Sequence, residues 1–153
     1  MPPNLCPVLG PIDLSNDDVA VRVIEIQRAS YRVEADLIGF DGIPPMHEDV
    51  DDLRSLDLQW LGSWEGGRLV GVIGWSTISD ICEIDRLAVH PEHFRRGHGR
   101  ALVSAVMDRP TVTVSTGTNN APARRLYESL GFVAVNEHEI GPGVTVTELR
   151  LVN

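Results

Sequence analysis

The stretch that decides the fold is Arg95-Arg96-Gly97-His98-Gly99-Arg100, which lies between a strand-like run ending at Val89 and a helix-like run beginning near Ala101. Two glycines allow the backbone to turn tightly, and the first turn of a helix leaves N–H groups without partners inside the helix. Together with three arginines, these N–H groups favour a phosphate or pyrophosphate. A basic, glycine-containing surface loop is the alternative interpretation of this stretch taken alone.

The composition is that of an ordinary globular protein. The chain has 153 residues, of which 42% are hydrophobic and 23% charged, and this predicts a single domain over residues 1–153. Because no apolar run could cross a bilayer and Met1–Gly10 does not resemble a secretory signal, we expect a cytoplasmic protein with no membrane partner. The two cysteines, Cys6 and Cys82, predict no disulfide framework and no metal-type pair.

Charge is distributed unevenly along the chain. The net charge of −9 argues against a nucleic-acid partner, because such binding depends on neutralising phosphates. Residues 1–76 hold thirteen acidic and five basic side chains, whereas residues 77–153 hold nine acidic and eight basic ones. All the basic residues are arginines, and this excludes a Walker-type nucleotide loop, which requires a lysine.

The hydrophobic pattern predicts a mixed order of helices and strands. In chain order we expect a strand at Val8–Ile12, a helix from Asp17 to Leu37, a helix at His47–Leu56, strands at Leu58–Trp64, Arg68–Ile78 and Cys82–Val89, a helix at Ala101–Asp108, a strand at Thr111–Ser115, a helix from Asn119 to Leu130, and strands at Phe132–Ile140 and Val144–Leu151. This order gives antiparallel hairpins at both ends and one strand–helix–strand crossover in the middle.

Three segments together resemble the core motifs of the GNAT superfamily of N-acetyltransferases. They are Ile84-Asp85-Arg86-Leu87-Ala88-Val89-His90-Pro91, then Arg95 to Leu102, then Asn119 to Phe132. A dinucleotide-binding fingerprint is excluded, because position 102 would have to be glycine and is leucine. The resemblance implies an α/β (α+β) fold: a mostly antiparallel sheet of six to seven strands, helices on both faces, and a splayed central strand pair.

The resemblance also implies where acetyl-CoA, the co-substrate of the family, would bind. In relatives its pantetheine arm lies between the strands that match Cys82–Val89 and Thr111–Ser115. Main-chain groups of Leu87, Ala88 and Val89 would contact it, with the Val89 N–H polarising the thioester carbonyl. The pyrophosphate would lie on the loop that opens the following helix, formed by Arg95, Arg96, Gly97, His98, Gly99, Arg100 and Ala101.

Three further residues bear on this cofactor site. Asn119 and Ala123 are assigned to the cofactor arm by the same resemblance, and for Asn119 the equal alternative is a helix cap. Phe94 departs from the family pattern, which usually has arginine or glutamine at that position. We expect this departure to weaken the tuning of cofactor affinity without removing the site.

Tyr127 is the candidate general acid. It matches a tyrosine that in many relatives lies near the cofactor sulfur and protonates the departing thiolate. The alternative interpretation is a packing role with Ala123 and Leu130, which share its helix face.

Glu83 is the candidate general base, because the resemblance aligns it with a glutamate base in histone-type relatives. Strand alternation predicts that its side chain points to the same face as Asp85 and Leu87. An ordered water as the base, with Glu83 a solvated carboxylate, is the alternative.

These implications predict an enzyme that transfers an acetyl group from acetyl-CoA to a primary amine by direct attack in a ternary complex. The acidic first half favours a cationic small molecule or a protein amino group as acceptor. In relatives the loop between the first two helices borders the acceptor pocket, which points to Asp41, His47 and Glu48. A non-catalytic acyl-CoA-binding sensor or interaction module is the rival hypothesis.

No metal is expected. His90, His93 and His98 lie close in sequence, but they lack the helical ligand spacing and the acidic partner of known zinc motifs. The sequence leaves the oligomeric state open, and a homodimer is one of the states that it allows.

Overall fold

The computed structural model describes residues 6–153, so the first half of the Met1–Gly10 stretch considered above lies outside the described residues. Within residues 6–153 there are four α-helices: α1 (Asp17–Ile38), α2 (Val50–Ser55), α3 (His98–Val106) and α4 (Ala121–Ser129). The strands are β1 (Val8–Pro11), β2 (Gln59–Glu65), β3 (Arg68–Ile78), β4 (Ile81–Val89), β5 (Thr111–Gly117), β6 (Val133–Gly141) and β7 (Val144–Val152). None of these helices has both the length and the apolar composition needed to cross a membrane.

The strands form one sheet in the order β1-β2-β3-β4-β5-β7-β6. Every neighbouring pair is antiparallel except β4 and β5, which are parallel and joined through α3. A parallel pair requires such a crossover, because a tight hairpin can only reverse the chain. The prediction of a mostly antiparallel sheet with one central crossover is confirmed.

The start and end of α1 follow from its sequence. Asn16 Oδ1 accepts a hydrogen bond from the Val19 N–H at 3.2 Å and so caps the helix, and Asp17 and Asp18 place negative charge in its first turn. Gly39 ends the helix at φ 68°, a left-handed conformation that glycine adopts without strain.

Helices cover both faces of the sheet, as predicted. On one face, Val103 of α3 and Tyr127 of α4 pack with sheet residues such as Val112. On the other face, Ile26 of α1 and Leu53 of α2 lie in a second apolar cluster with the sheet. The sheet is therefore the middle layer, and the site described below opens at its centre.

Two helix boundaries differ from the sequence predictions. The prediction that α3 begins at Ala101 is wrong, because Gly97 at φ 85° forms the helix cap and the helix begins at His98. The predicted helix at His47–Leu56 is shorter than expected. Reciprocal hydrogen bonds between Asp49 and Asp52 form a capping box, so α2 begins at Val50.

A bulge in β4 changes which side chains share a face, because the pairing with β3 passes over Asp85. Ile84 packs in the cluster of α3 and α4, whereas Ala88 packs in the cluster of α1. Leu87 packs on the same side as Ile84, opposite to Glu83. The prediction that Glu83 and Leu87 point to one face is therefore wrong.

β4 and β5 separate along their length. Their pairing runs from Ile81–Thr111 to Ile84–Val114 and stops there, although β4 continues to Val89 and β5 to Gly117. The splayed central pair is thus confirmed.

Candidate functional site

A cavity of about 540 Å³ opens where β4 and β5 separate. Its wall includes four of the residues discussed above: Asp85 and Leu87 of β4, and Ala123 and Tyr127 of α4. The remaining wall comes from α1, the loop that follows it, β5, the hairpin of β6 and β7, Arg86 of β4, and Asn120 before α4. The structure thus brings the predicted cofactor strand and the candidate acid together.

Two main-chain donors of β4 are paired with side chains of α1. The Leu87 N–H donates to Tyr31 Oη at 3.2 Å, and the Val89 N–H donates to Ser30 Oγ at 3.3 Å. These are the groups that the resemblance assigned to the cofactor, and Ala88 lies buried between them. A cofactor carbonyl that bound there would replace a hydroxyl as the acceptor.

Tyr127 both packs and lines the cavity. Its side chain is only 3% exposed, and its ring lies edge-to-face against Phe132 with the centroids 5.4 Å apart. Burial, with a smaller contribution from the charge of Glu34, raises the pKa of Tyr127 above its ordinary value. The phenol is therefore protonated at neutral pH, which is the state a general acid needs.

Sequence reasoning missed Tyr31 and Glu34 as cavity residues. Burial, followed by the charge of Glu34, raises the pKa of Tyr31 as well. Glu34 Oε1 accepts hydrogen bonds from Thr116 Oγ1 at 3.1 Å and from the Gly117 N–H at 3.2 Å. One sequence feature could have identified them: Tyr31 and Glu34 are spaced like a helix face beside the buried face of α1, and their polar groups interrupt its apolar stripe.

Glu83 lies in a second, smaller depression of about 330 Å³. Glu148, Thr113 and Ser115 line this depression with it, and Asp85 borders both the depression and the cavity. The cavity wall that holds Tyr127 does not include Glu83. The two candidate catalytic residues therefore belong to adjoining spaces, not to one.

The loop before α3 has the backbone geometry expected of an anion site. Arg95 and Gly97 adopt φ values of 63° and 85°, and the first N–H groups of α3, at His98, Gly99 and Arg100, have no partner within the helix. A Cβ on Gly99 would lie 3.3 Å from the side chain of Leu126, so glycine allows the helix start to pack against α4.

The loop arginines have different side-chain environments. Within residues 6–153 the exposed Arg95 makes no hydrogen bond or ion pair, so its guanidinium is available to an anion. Arg100 Nη2 donates to Ser129 Oγ at 2.7 Å. Arg96 Nη1 instead donates to Glu65 Oε2 at 2.6 Å.

Glu65, at the end of β2, joins several loop side chains in what we call the Glu65 network. Besides Arg96, its carboxylate hydrogen-bonds His93 and lies 3.4 Å from His98 Nε2, while His98 Nδ1 lies 2.6 Å from Ser63 Oγ. The buried side chain of His98 therefore points into the protein, which leaves only its main-chain N–H for an anion. Burial raises the pKa of Glu65, but the hydrogen bonds outweigh it, so this pKa lies below its ordinary value.

The Glu65 network supplies the acidic partner that the histidines lacked in sequence. Donor atoms of Glu65, His93 and His98 lie within 4.8 Å of one another, a spacing that a metal ion could use. Arg96 already places a cation on the same carboxylate. The absence of a metal at this cluster stays a prediction. The guanidinium of Arg96 balances the charge of the Glu65 carboxylate.

Asn120, rather than Asn119, caps α4. The Asn120 side chain accepts a hydrogen bond from the Ala123 N–H at 3.3 Å and lines the cavity. Asn119 is exposed and stands one residue before the cap, so the capping alternative for Asn119 is wrong.

Glu48 is held in an internal ion pair. Arg86 Nη1 donates to Glu48 Oε1 at 2.5 Å, and Arg86 Nε donates to Asp85 Oδ2 at 2.8 Å. Burial lowers the pKa of Arg86, but these hydrogen bonds outweigh it and raise the pKa above its ordinary value, so the guanidinium stays charged. His47, expected beside a substrate, instead contacts the main-chain oxygen of Asp41 at 2.6 Å.

Comparison with known proteins agrees with this geometry. The model of the acetyltransferase (GNAT) family matches residues 21–132. The ribosomal-protein-S18-alanine N-acetyltransferase from Escherichia coli superposes with a TM-score of 0.75 at 17% identity, covering 95% of this chain and 93% of that one. The PaiA N-acetyltransferase from Thermoplasma acidophilum, in complex with coenzyme A, superposes with a TM-score of 0.73 at 16% identity, covering 94% and 98%.

A relative of higher identity is the UPF0157 protein YqkA from Bacillus subtilis (strain 168). It is 34% identical over an alignment of 137 residues that covers 87% of this chain, and the chain spans only 40% of the length of that relative. Since the family model covers most of the chain and the fold matches throughout, the chain belongs to the acetyltransferase (GNAT) family.

Proposed function

We propose that this chain is an N-acetyltransferase that transfers an acetyl group from acetyl-CoA to a primary amine. The observation that carries the proposal is the cavity between the separated ends of β4 and β5, with a protonated tyrosine in its wall. The start of α3 lies beside it, since a Cβ on Gly99 would be 3.9 Å from Leu87.

The cofactor would lie along this gap. N–H groups at the start of α3 and the guanidinium of Arg95 would bind its pyrophosphate, because both carry positive charge and lie close together in the chain. The pantetheine arm would then reach main-chain groups of Leu87, Ala88 and Val89. We assign Ala123 to the wall of this channel and keep Asn119 as an exposed contact for the cofactor.

The chemistry is one acyl transfer. The neutral amine nitrogen attacks the thioester carbonyl carbon, the C–N bond forms, and the C–S bond breaks. The Val89 N–H would stabilise the negative charge on the carbonyl oxygen, and Tyr127 would give its proton to the departing thiolate. The proton lost by the amine would pass to Glu83 directly or through an ordered water.

A cationic acceptor is supported by the carboxylates around the splay. Glu34 and Asp85 line the cavity, and Glu83 and Glu148 line the adjoining depression. Negative groups in a cleft raise the local concentration of ammonium ions. We propose direct transfer in a ternary complex by one domain over residues 1–153; a cytoplasmic location and the choice between monomer and homodimer stay predictions.

Two measurements test the proposal together. Calorimetry with acetyl-CoA should give binding, and thiol release from acetyl-CoA should depend on an added amine. Cofactor binding without thiol release across a broad set of amines would favour the rival acyl-CoA sensor. Absence of any cofactor binding would refute both hypotheses.

A further inference from the structure

The two ends of the cavity differ in chemistry. At the splay, the carboxylates of Glu34 and Asp85 line the wall, and Arg86 beside them is already hydrogen-bonded to Asp85, Glu48 and Gln27. Glu34 uses Oε1 for both of its hydrogen bonds, to Thr116 and Gly117, so its other oxygen remains available to an ammonium donor.

The other end is apolar. It is formed by Phe40, Ile43 and Pro44 after α1 and by Ile140 and Val146 of the β6–β7 hairpin. The Phe40 ring lies between the loop after α1 and the β6–β7 hairpin: a Cβ on Gly42 would lie 2.4 Å from it, and one on Gly141 would lie 3.6 Å from it. These five side chains have no hydrogen-bonding group, so nothing on them could pair with a second charge.

From this polarity we infer that the acceptor is a primary monoamine with an apolar carbon substituent, an alkylamine or arylalkylamine. Its ammonium group enters between Glu34 and Asp85, and its substituent lies against Phe40, Ile140 and Val146. The inference rests on the proposed function and adds the acceptor class. Polyamines are poor acceptors on this basis, because a second ammonium would lie against apolar side chains and would gain no partner there.

The test compares amines that differ in one feature. The probes are n-butylamine, n-hexylamine, 2-phenylethylamine, 1,6-diaminohexane and spermidine, each with acetyl-CoA in a thiol-release assay. Burial of each added methylene should raise kcat/KM up to about fourfold, or about 15-fold from butylamine to hexylamine. 1,6-Diaminohexane, which matches hexylamine in length, should be at least about tenfold poorer.

Two variants in β6 separate the apolar end from general effects on the strand. Ile140 lines the cavity and is 44% exposed, whereas Val135 is 48% exposed and is not part of the cavity wall. I140A should reduce the advantage of hexylamine over butylamine, and V135A should retain it. Thermal unfolding and the Kd for acetyl-CoA, measured on both variants, show whether either change acts through folding or through the cofactor site.

The outcomes of this test are distinct. If the diamines match or exceed hexylamine, or if I140A and V135A behave alike, the inference is overturned while the proposed function stands. If acetyl-CoA binds but no amine releases thiol, the proposed function falls and the inference falls with it. A monoamine preference that I140A weakens and V135A keeps supports the acceptor class.

Discussion

Gly97→Ala is the most direct test of the proposal that the loop before α3 binds a pyrophosphate. Gly97 has φ 85°, and a Cβ there would meet no atom within 4 Å, so the substitution adds backbone strain and no clash. The left-handed conformation costs a non-glycine residue roughly 1–2 kcal/mol. Since residues 94–97 are exposed, we expect the loop to release this strain by changing conformation, which turns the N–H groups of His98 and Gly99 away from a ligand.

Binding acetyl-CoA would then have to restore the strained conformation. The strain of roughly 1–2 kcal/mol corresponds to an increase in Kd of about 5- to 30-fold. Isothermal calorimetry measures this change directly. Coenzyme A without the acetyl group should show the same loss, because the perturbation acts on the phosphate end of the molecule.

Gly143→Ala is the matched control. Gly143 has φ 73° and equally open space around a Cβ, but it lies in the turn between β6 and β7, away from α3. The same backbone strain should lower the free energy of unfolding of Gly143→Ala, measured with denaturant, while its Kd for acetyl-CoA stays unchanged. Equal affinities of the two variants would refute the assignment of the loop to the pyrophosphate.

Three further predictions concern side chains. Tyr127→Phe should lower kcat at least about 100-fold with the Kd for acetyl-CoA nearly unchanged, and an unaltered kcat would remove the phenol from proton transfer. Glu83→Gln should lower kcat and shift the acidic limb of the pH–rate profile; an unchanged profile would assign the base to water. Because the pKa of Glu65 lies below its ordinary value of 4.5, its ionised form stabilises the fold above that pH and the contribution disappears as the pH falls through the folded value. Glu65→Gln should therefore flatten the acid dependence of the unfolding midpoint as the pH falls below 4.5, and a slope equal to that of the wild type would contradict the network.

Local signals in the sequence were sufficient for much of the fold. The glycines of the loop, the capping Asn16 and the β2–β3 turn each act through neighbouring residues, so the elements around them could be predicted. The order of elements then limited the sheet to one parallel crossover. The predicted starts of α2 and α3 were wrong, because several residues within a short stretch could each have capped the helix.

Contacts between distant segments could not be predicted in the same way. Glu65 reaches His93 from 28 residues away, and neither residue carries a local sign of the other. The bulge at Asp85 is likewise a property of the pairing between two strands, and it moved Leu87 to the face opposite Glu83. Helix spacing alone did not reveal that Tyr31 would reach the main chain of β4.

The hydroxyls of Ser30 and Tyr31 have an energetic consequence for turnover. Because they already accept from Val89 and Leu87, a thioester oxygen that bound there would replace a bond instead of creating one, and the net gain would be small. Under the proposed function, most of the affinity for the carrier would then come from its diphosphate, a part that reactant and by-product share. The spent carrier would be held about as firmly as the loaded one and would compete with it for the cavity.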